Sequence, residues 1–154
     1  MLELFGSDGE PMEALATRAR AMFPGATPIV WECQVPSLQF CYVSDAAKAI
    51  LGYPEERWLE PGFWADTIVH GDDRDDAVNY CTLATAKGRD HMFEYRARSA
   101  DGRIVWLRDF VKVVPGANGQ PPALRGVIFD VTAEKLEQPT PVGARVPTRE
   151  ELIA

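Results

Sequence analysis

Between Phe93 and Val113 the stretch FEYRARSADGRIVWLRDFVKV alternates apolar and polar side chains on either side of Asp101-Gly102, which predicts two antiparallel strands joined as a hairpin. A two-residue loop would set Glu94 against Asp109, like charges directly opposed. A three-residue loop, Ala100 to Gly102 with Gly102 left-handed, sets Glu94 against Arg108, Tyr95 against Leu107, Arg96 against Trp106 and Ala97 against Val105, and this is the expected register. One face then carries Phe93, Tyr95, Ala97, Val105, Leu107, Val111 and Val113, with Asp109 its only charge. The other carries Glu94, Arg96, Arg98, Ile104, Trp106, Arg108, Phe110 and Lys112, so large apolar groups stand among charges. A sheet that is apolar on one side and half-apolar on the other expects cover on both.

Upstream, Met12, Leu15, Ala16, Ala19, Met22 and Phe23 recur at helical spacing from Glu10 to Phe23, and Pro24-Gly25 end the pattern. This amphipathic helix spans about 21 Å at 1.5 Å per residue and is the intramolecular candidate to cover part of the hairpin's outer face. PIVWECQV places Ile29, Trp31, Cys33 and Val35 on one face of a strand, and LQFCYVS beyond Pro36-Ser37 completes a second hairpin. Ser44 or Asp45 caps a short helix stopped by Gly52. PEERWLE and FWADTIV, separated by Pro61-Gly62, add short elements that wall a space rather than pack as a bundle. GDDRDDA sets Asp72, Asp73, Asp75 and Asp76 at the start of a longer helix through Ala86, where the helix dipole favours negative charge. ALRGVIFDVT reads as a last strand and AEKLEQ as a helix that Pro139, Pro141 and Pro147 do not let continue; Thr148 caps a further helical start in the tail. The expected divisions are an N-terminal cap helix over 1–27, a domain over 28–136, and a linker or the start of a following element over 137–154, as in a module cut from a longer protein or a small free-standing one. Helices in the middle of an antiparallel sheet make the class α+β.

A net charge of -7 with no Lys/Arg cluster argues against nucleic acid or an anionic membrane as partner. No apolar run spans a bilayer and MLELFGSDGE carries no signal pattern, so a cytoplasmic chain is expected. Cys33, Cys41 and Cys81, an odd count without CxxC spacing, read as reduced thiols in a core.

The blocks YVSDAAKAILGYPEERW, GFWADTIVHGDDRD, FEYRARSADGRIVWLRD and RGVIFDVTAEK, in this order and spacing, resemble a PAS domain of the bacterial PAS fold-3 type over roughly Ile29 to Lys135. Gly71 departs from the proline usual after the histidine. The resemblance implies a five-stranded antiparallel sheet in the order 2-1-5-4-3, with short helices enclosing a small pocket on one face. It implies a sensory or regulatory module of a bacterial signal-transduction protein, such as a two-component system, that relays to a kinase, cyclase, phosphodiesterase or transcription factor. It also implies that Asp130 and Thr132 mark the passage from last strand to output helix; a strand end and a helix cap are compatible with that role.

The light-oxygen-voltage branch of that family bonds flavin through a cysteine in an Asn-Cys-Arg sequence. The corresponding window here, EPGFWADTIV, has no cysteine, and Ala97, Leu107 and Ile128 stand where amides would hold the flavin edge. Heme-binding relatives take a histidine from the longer helix, where Asp75 to Ala86 has none; Cys81 and His70 are what the chain offers an iron. No cofactor is therefore expected, with a heme-binding gas or redox sensor as the alternative reading. The pocket candidates are Trp31, Cys33, Tyr42, Trp64, Tyr95, Leu107 and Ile128, residues that would equally fill a core. His91, at a strand start, is expected to be exposed. The rival readings are a metal site from His70, Asp72 and Asp73, or a small enzyme using Asp109, or His70 with Asp72, as acid or base. Without a nucleophile and base pair, a phosphate loop or metal spacing, the chain is expected not to be an enzyme. Ile104, Trp106 and Phe110 are expected to lie under the N-terminal helix or in a homodimer interface.

Overall fold

The hairpin forms as β3 (His91–Arg98) and β4 (Ile104–Val114) in a computed structural model that describes residues 4–137. Its register is the expected one, with Glu94 opposite Arg108, Tyr95 opposite Leu107, Arg96 opposite Trp106 and Ala97 opposite Val105. Ser99 N–H donates to Arg103 O (2.9 Å) and Gly102 has φ +88°, so a three-residue loop closes through a left-handed glycine. With β1 (Ile29–Gln34), β2 (Gln39–Val43) and β5 (Ala123–Asp130), the strands make an antiparallel sheet in the order β2-β1-β5-β4-β3. Between β2 and β3 run α2 (Ala46–Leu51), α3 (Glu55–Trp58), a π turn (Trp64–Ile68), a 3-10 turn (Gly71–Asp73) and α4 (Arg74–Ala86), and together they cover the inner face. The core between sheet and helices includes Ile29, Trp31, Leu51, Trp58, Ile68, Phe93, Tyr95, Leu107 and Ile128. The linker and tail expected over 137–154, with Thr148, lie outside the described residues apart from Glu137.

The outer face is covered in two pieces, and not as the helix periodicity suggested. α1 (Met12–Met22) packs Met12, Leu15, Ala16 and Ala19 on Val30 of β1 and Val127 of β5, with Leu4, Phe23 and Phe129 around them. Val30 and Val127 pair across the β1–β5 ladder and offer a purely apolar seat, whereas the outer face of β3 and β4 is broken by charges. α1 therefore sits on β1 and β5 instead of on the hairpin. The hairpin's outer face is met by α5 (Thr132–Glu137), which leaves β5 and turns back over β4. Lys135 pairs with Glu94 (2.7 Å) and lies over the Trp106 ring (5.4 Å), while Arg108 reaches both Glu94 (2.6 Å) and Glu134 (2.9 Å). Phe110 meets the edge of Phe129 (5.8 Å), and Ile104 stays exposed.

β3 is an edge strand, and its open side is closed by the segment before α4. His70 N–H donates to Arg96 O (2.9 Å), and Arg96 N–H donates to Asp73 Oδ2 (2.8 Å). The Arg96 guanidinium curls round to the same carboxylate at 2.6 and 3.1 Å. Asp73 is thus fully buried and blunts the edge, rather than standing in water as a dipole charge. Other local expectations are corrected as well. Of the two cap candidates for α2, Asp45 takes the N-cap position without a side-chain bond, and Ser44 accepts Val30 N–H instead (2.9 Å). His91 is buried, its ring against Tyr80 and Phe93. Cys41 is exposed, while Cys33 and Cys81 are in the core.

Candidate functional site

Inward-facing side chains from all five strands and from the helical wall converge near the middle of the sheet. Trp31 and Cys33 of β1, Phe40 of β2, Trp64 of the π turn, Cys81 of α4, Phe93 of β3, Asp109 and Val111 of β4 and Leu124 of β5, with Leu38, enclose a void of ≈ 10 Å³. That is at the threshold for a single water, so the chamber is closed and nearly full. Trp31 stacks on Phe40 (4.9 Å between ring centres), and Trp64 meets Phe93 and Tyr95 edge-on. The Trp31 indole lies directly over Gly126 of β5, where any Cβ would collide with it. A glycine in a strand interior is here the seat of a ring.

Asp109 is the polar centre. Trp31 Nε1–H donates to its Oδ1 (3.0 Å), Tyr95 Oη–H donates to its Oδ2 (2.9 Å), and Trp64 Nε1–H donates to the Tyr95 oxygen (3.0 Å). Burial pushes the Asp109 carboxyl up from 3.8 to about 7, against the opposing pull of the Tyr95 and Trp31 hydrogen bonds. Burial, reinforced by the neighbouring Asp109, likewise raises the Tyr95 hydroxyl and pushes the Cys81 thiol up to about 12; Cys33 is raised further still, by burial and then by Cys81 and Asp109. Burial holds His91 below the usual histidine range. The chamber therefore contains protonated thiols, a neutral phenol and a single carboxyl that titrates near neutrality.

Of the pocket candidates, Trp31, Cys33 and Trp64 line the void, and Tyr95 stands behind it as the link between Trp64 and Asp109. Leu107 and Ile128 are buried in the same core without reaching the void. Tyr42 is not in the chamber: it packs with the α1 cluster and donates to Glu13 (2.9 Å). A bulge separates the pairs Glu32–Tyr42 and Cys33–Phe40, so Tyr42 and Phe40 fall on opposite faces although they are two residues apart. Phe40 and Leu124 were missed for want of a register; Phe93 and Val111 were missed although hairpin alternation had already put them on the inner face.

His70, Asp72 and Asp73 do not come together as a metal site: His70 Nδ1 accepts from Asp72 N–H (3.1 Å), and the Asp73 carboxylate is turned to Arg96. Ala97, Leu107 and Ile128 are fully buried and apolar, with no amide for a flavin edge. Among the described residues, no helix is long and apolar enough to cross a membrane.

On the far side of β4 the exit is pinned at its root. Asp130 Oδ1 accepts from Thr132 N–H (2.9 Å) and Thr132 Oγ1–H (2.6 Å), Thr132 Oγ1 accepts from Trp106 N–H (3.0 Å), and Val131 N–H donates to Trp106 O (2.8 Å). Asp130 is thus the capping side chain, and Thr132 ties the helix to the strand. A groove of ≈ 360 Å³ opens between the β1–β2 turn and α4, lined by Val35, Pro36, Leu38, Thr82, Thr85, Ala86, Pro121 and Pro122. Leu38 walls both this groove and the inner void.

Comparison with known proteins agrees with this architecture. The N-terminal domain of a diguanylate cyclase with PAS/PAC sensor from Marinobacter aquaeolei is 36% identical, over 70% of this chain and 97% of that one, with a TM-score of 0.63. A sensory box histidine kinase/response regulator from Burkholderia thailandensis is 25% identical, over 78% and 88%, with a TM-score of 0.61. The Rhodobacter sphaeroides LOV protein shares the fold at 19% identity over 73% and 65%, with a TM-score of 0.58. No curated protein matches the chain. The PAS fold family model (PAS_3) matches residues 40–128, and with the sheet order and the helical wall it shows that the chain belongs to the PAS family of sensory and signalling domains.

Proposed function

We propose that the chain is a non-catalytic sensory module whose input is the state of the aromatic chamber and whose output is the docking of α5. The observation that carries this reading is that chamber and exit helix share one strand. On β4, Asp109 faces the chamber, while its neighbour Arg108 and, three residues back, Trp106 face α5. Side chains alternate across a strand, so a shift of β4 that accommodates a change at Asp109 also moves the groups that hold α5. The sensor domains similar to it in a diguanylate cyclase and a histidine kinase support an effector domain, in this chain or another, as the recipient. A small ligand entering by the groove is a second form of input, favoured by Leu38 as the wall common to groove and void. A homodimer through Ile104, Trp106 and Phe110 has less apolar surface to bury than the sequence suggests, because α5 covers Trp106 and Phe129 covers Phe110.

Thr132→Val tests the latch. It keeps the side-chain shape but removes the acceptor for Trp106 N–H and the donor to Asp130. Loss of such bonds is worth about 1–1.5 kcal/mol, so the amides of Trp106 and α5 should exchange about tenfold faster while those of Val111 and Val127 do not change. Unchanged exchange at α5 would mean that Thr132 does not hold the output.

A further inference from the structure

Among the described residues, the chamber holds one carboxyl, and no ion pair accounts for it. Asp109 is 1% exposed and takes one neutral donor on each oxygen, Trp31 and Tyr95. The titratable groups facing it are Cys33 from β1, Cys81 from α4 and Tyr95 from β3, all held protonated and neutral by burial. β5 presents Ile128 opposite it, β3 presents Phe93, and the π turn presents Trp64 behind Tyr95, none of which titrates. Arg108, its neighbour on β4, is engaged with Glu94 and Glu134 on the other face. Among the described residues, a carboxylate desolvated here has no cation to balance it, while its two hydrogen bonds keep ionisation within reach.

We infer that Asp109 is a proton-binding site and that the signal this module receives is pH, which rests on the reading of the chamber as its input. An indole N–H can only donate, so a proton on the oxygen that faces Trp31 finds no acceptor there, whereas on the oxygen that faces Tyr95 it finds one in the phenol oxygen. It binds the oxygen facing Tyr95, which then becomes a donor. Tyr95 must turn from donor to acceptor at that link while it already accepts Trp64 Nε1–H, so its own hydroxyl proton loses its partner. Protonation thereby reverses the Tyr95–Asp109 bond and leaves Tyr95 accepting from both Trp64 and Asp109, with its own proton unpaired in the core. Asp109 also pairs with Ile128, two residues before the Asp130 that roots α5.

The test is an NMR titration of the full chain from about pH 5 to 9, following the indole N–H groups and the Asp109 carboxyl carbon. Trp31 and Trp64 should shift together with the carboxyl carbon, at one midpoint within about a unit of 7. The buried Trp58 indole, which has no hydrogen-bond partner, should stay still. Asp109→Asn should abolish both indole titrations, and His91→Gln, which removes the buried imidazole against Phe93, should leave them intact. A carboxyl carbon in the unsubstituted protein that stays ionised throughout, or indole titrations that survive Asp109→Asn, would overturn the inference. Titration of Asp109 with α5 amides indifferent to pH rejects the relay and keeps the proton site; α5 amides that answer other changes in the chamber while Asp109 stays ionised keep the relay and reject the proton as its signal.

Discussion

Asp73→Asn asks whether one buried carboxylate closes the open edge of the sheet. Asp73 accepts three hydrogen bonds from one residue: the Arg96 amide at 2.8 Å and its guanidinium at 2.6 and 3.1 Å. Asparagine keeps the size and one acceptor oxygen for the amide, but leaves the guanidinium without a counter-charge. Breaking a fully buried pair costs about 3–5 kcal/mol; because Arg96 is 23% exposed and can regain some hydration, about 2–3 kcal/mol is expected. That corresponds to a fall of roughly 4–12 °C in melting temperature for a chain of this size. Urea unfolding followed by tryptophan fluorescence gives the stability. Hydrogen exchange at the Arg96 amide locates the effect, because the edge should open before the rest of the sheet does. Adding Arg96→Met to the asparagine variant should cost much less than either change alone suggests, since the pair is already broken. A loss below about 0.5 kcal/mol, or full additivity, would show that the segment before α4 is held by something other than this pair.

Stability should also depend on pH through Asp109. Its folded pKa of about 7 lies above the ordinary 3.8, so the folded chain keeps a proton that the unfolded chain releases. The contribution is complete below about pH 4 and is lost as pH climbs through 7, on the order of 4 kcal/mol at most. Glu10, Asp101 and Glu134, held low chiefly by hydrogen bonds to Arg18, Ser99 and Arg108 respectively, act in the opposite sense in acid. The quantity to measure is therefore the difference from Asp109→Asn, which should favour the wild type at pH 5 and shrink or reverse by pH 8; a constant difference contradicts the assignment. Gly126→Ala should displace the Trp31 ring and cost about 1–3 kcal/mol, with loss of the near-ultraviolet signal of the packed indole. A neutral alanine there would mean that the ring is not seated on β5.

The hairpin was legible to the residue because one alternative register opposed two carboxylates, a conflict that sequence alone exposes. Sheet order and the helical wall followed from resemblance and from the placement of breakers. Tyr42 was misplaced because a bulge reverses the alternation, and no residue type in FCYV announces it. His91 was misjudged because a strand start is normally wet, whereas Tyr80 from α4 closes over it here. The seat of α1 had a signal that went unused: Val30 and Val127 are apolar on the outward face of their strands, so β1 and β5 needed cover on both sides. The hairpin register already put Tyr95 beside Asp109 on the inner face, but the bonds from Trp31 to Asp109 and from Arg96 to Asp73 join separate elements, and no local pattern encodes such meetings.

Coupling across the sheet, from chamber to exit helix, is the claim most directly open to measurement. Trp64 lies on the helical side, 4% exposed, and its Nε1–H bonds Tyr95, while α5 lies on the opposite face of the sheet. Trp64→Phe deletes that bond and leaves every contact of α5 untouched. A short helix docked on the outside of a sheet exchanges by local opening, which global stability does not set, so amide exchange at Lys135 and Leu136 reports docking alone. A change of about threefold or more at these amides, roughly 0.65 kcal/mol of docking free energy, with Gln34 and Gln39 at the far edge unaffected, is the expected result. Identical α5 exchange in the two proteins would contradict the relay.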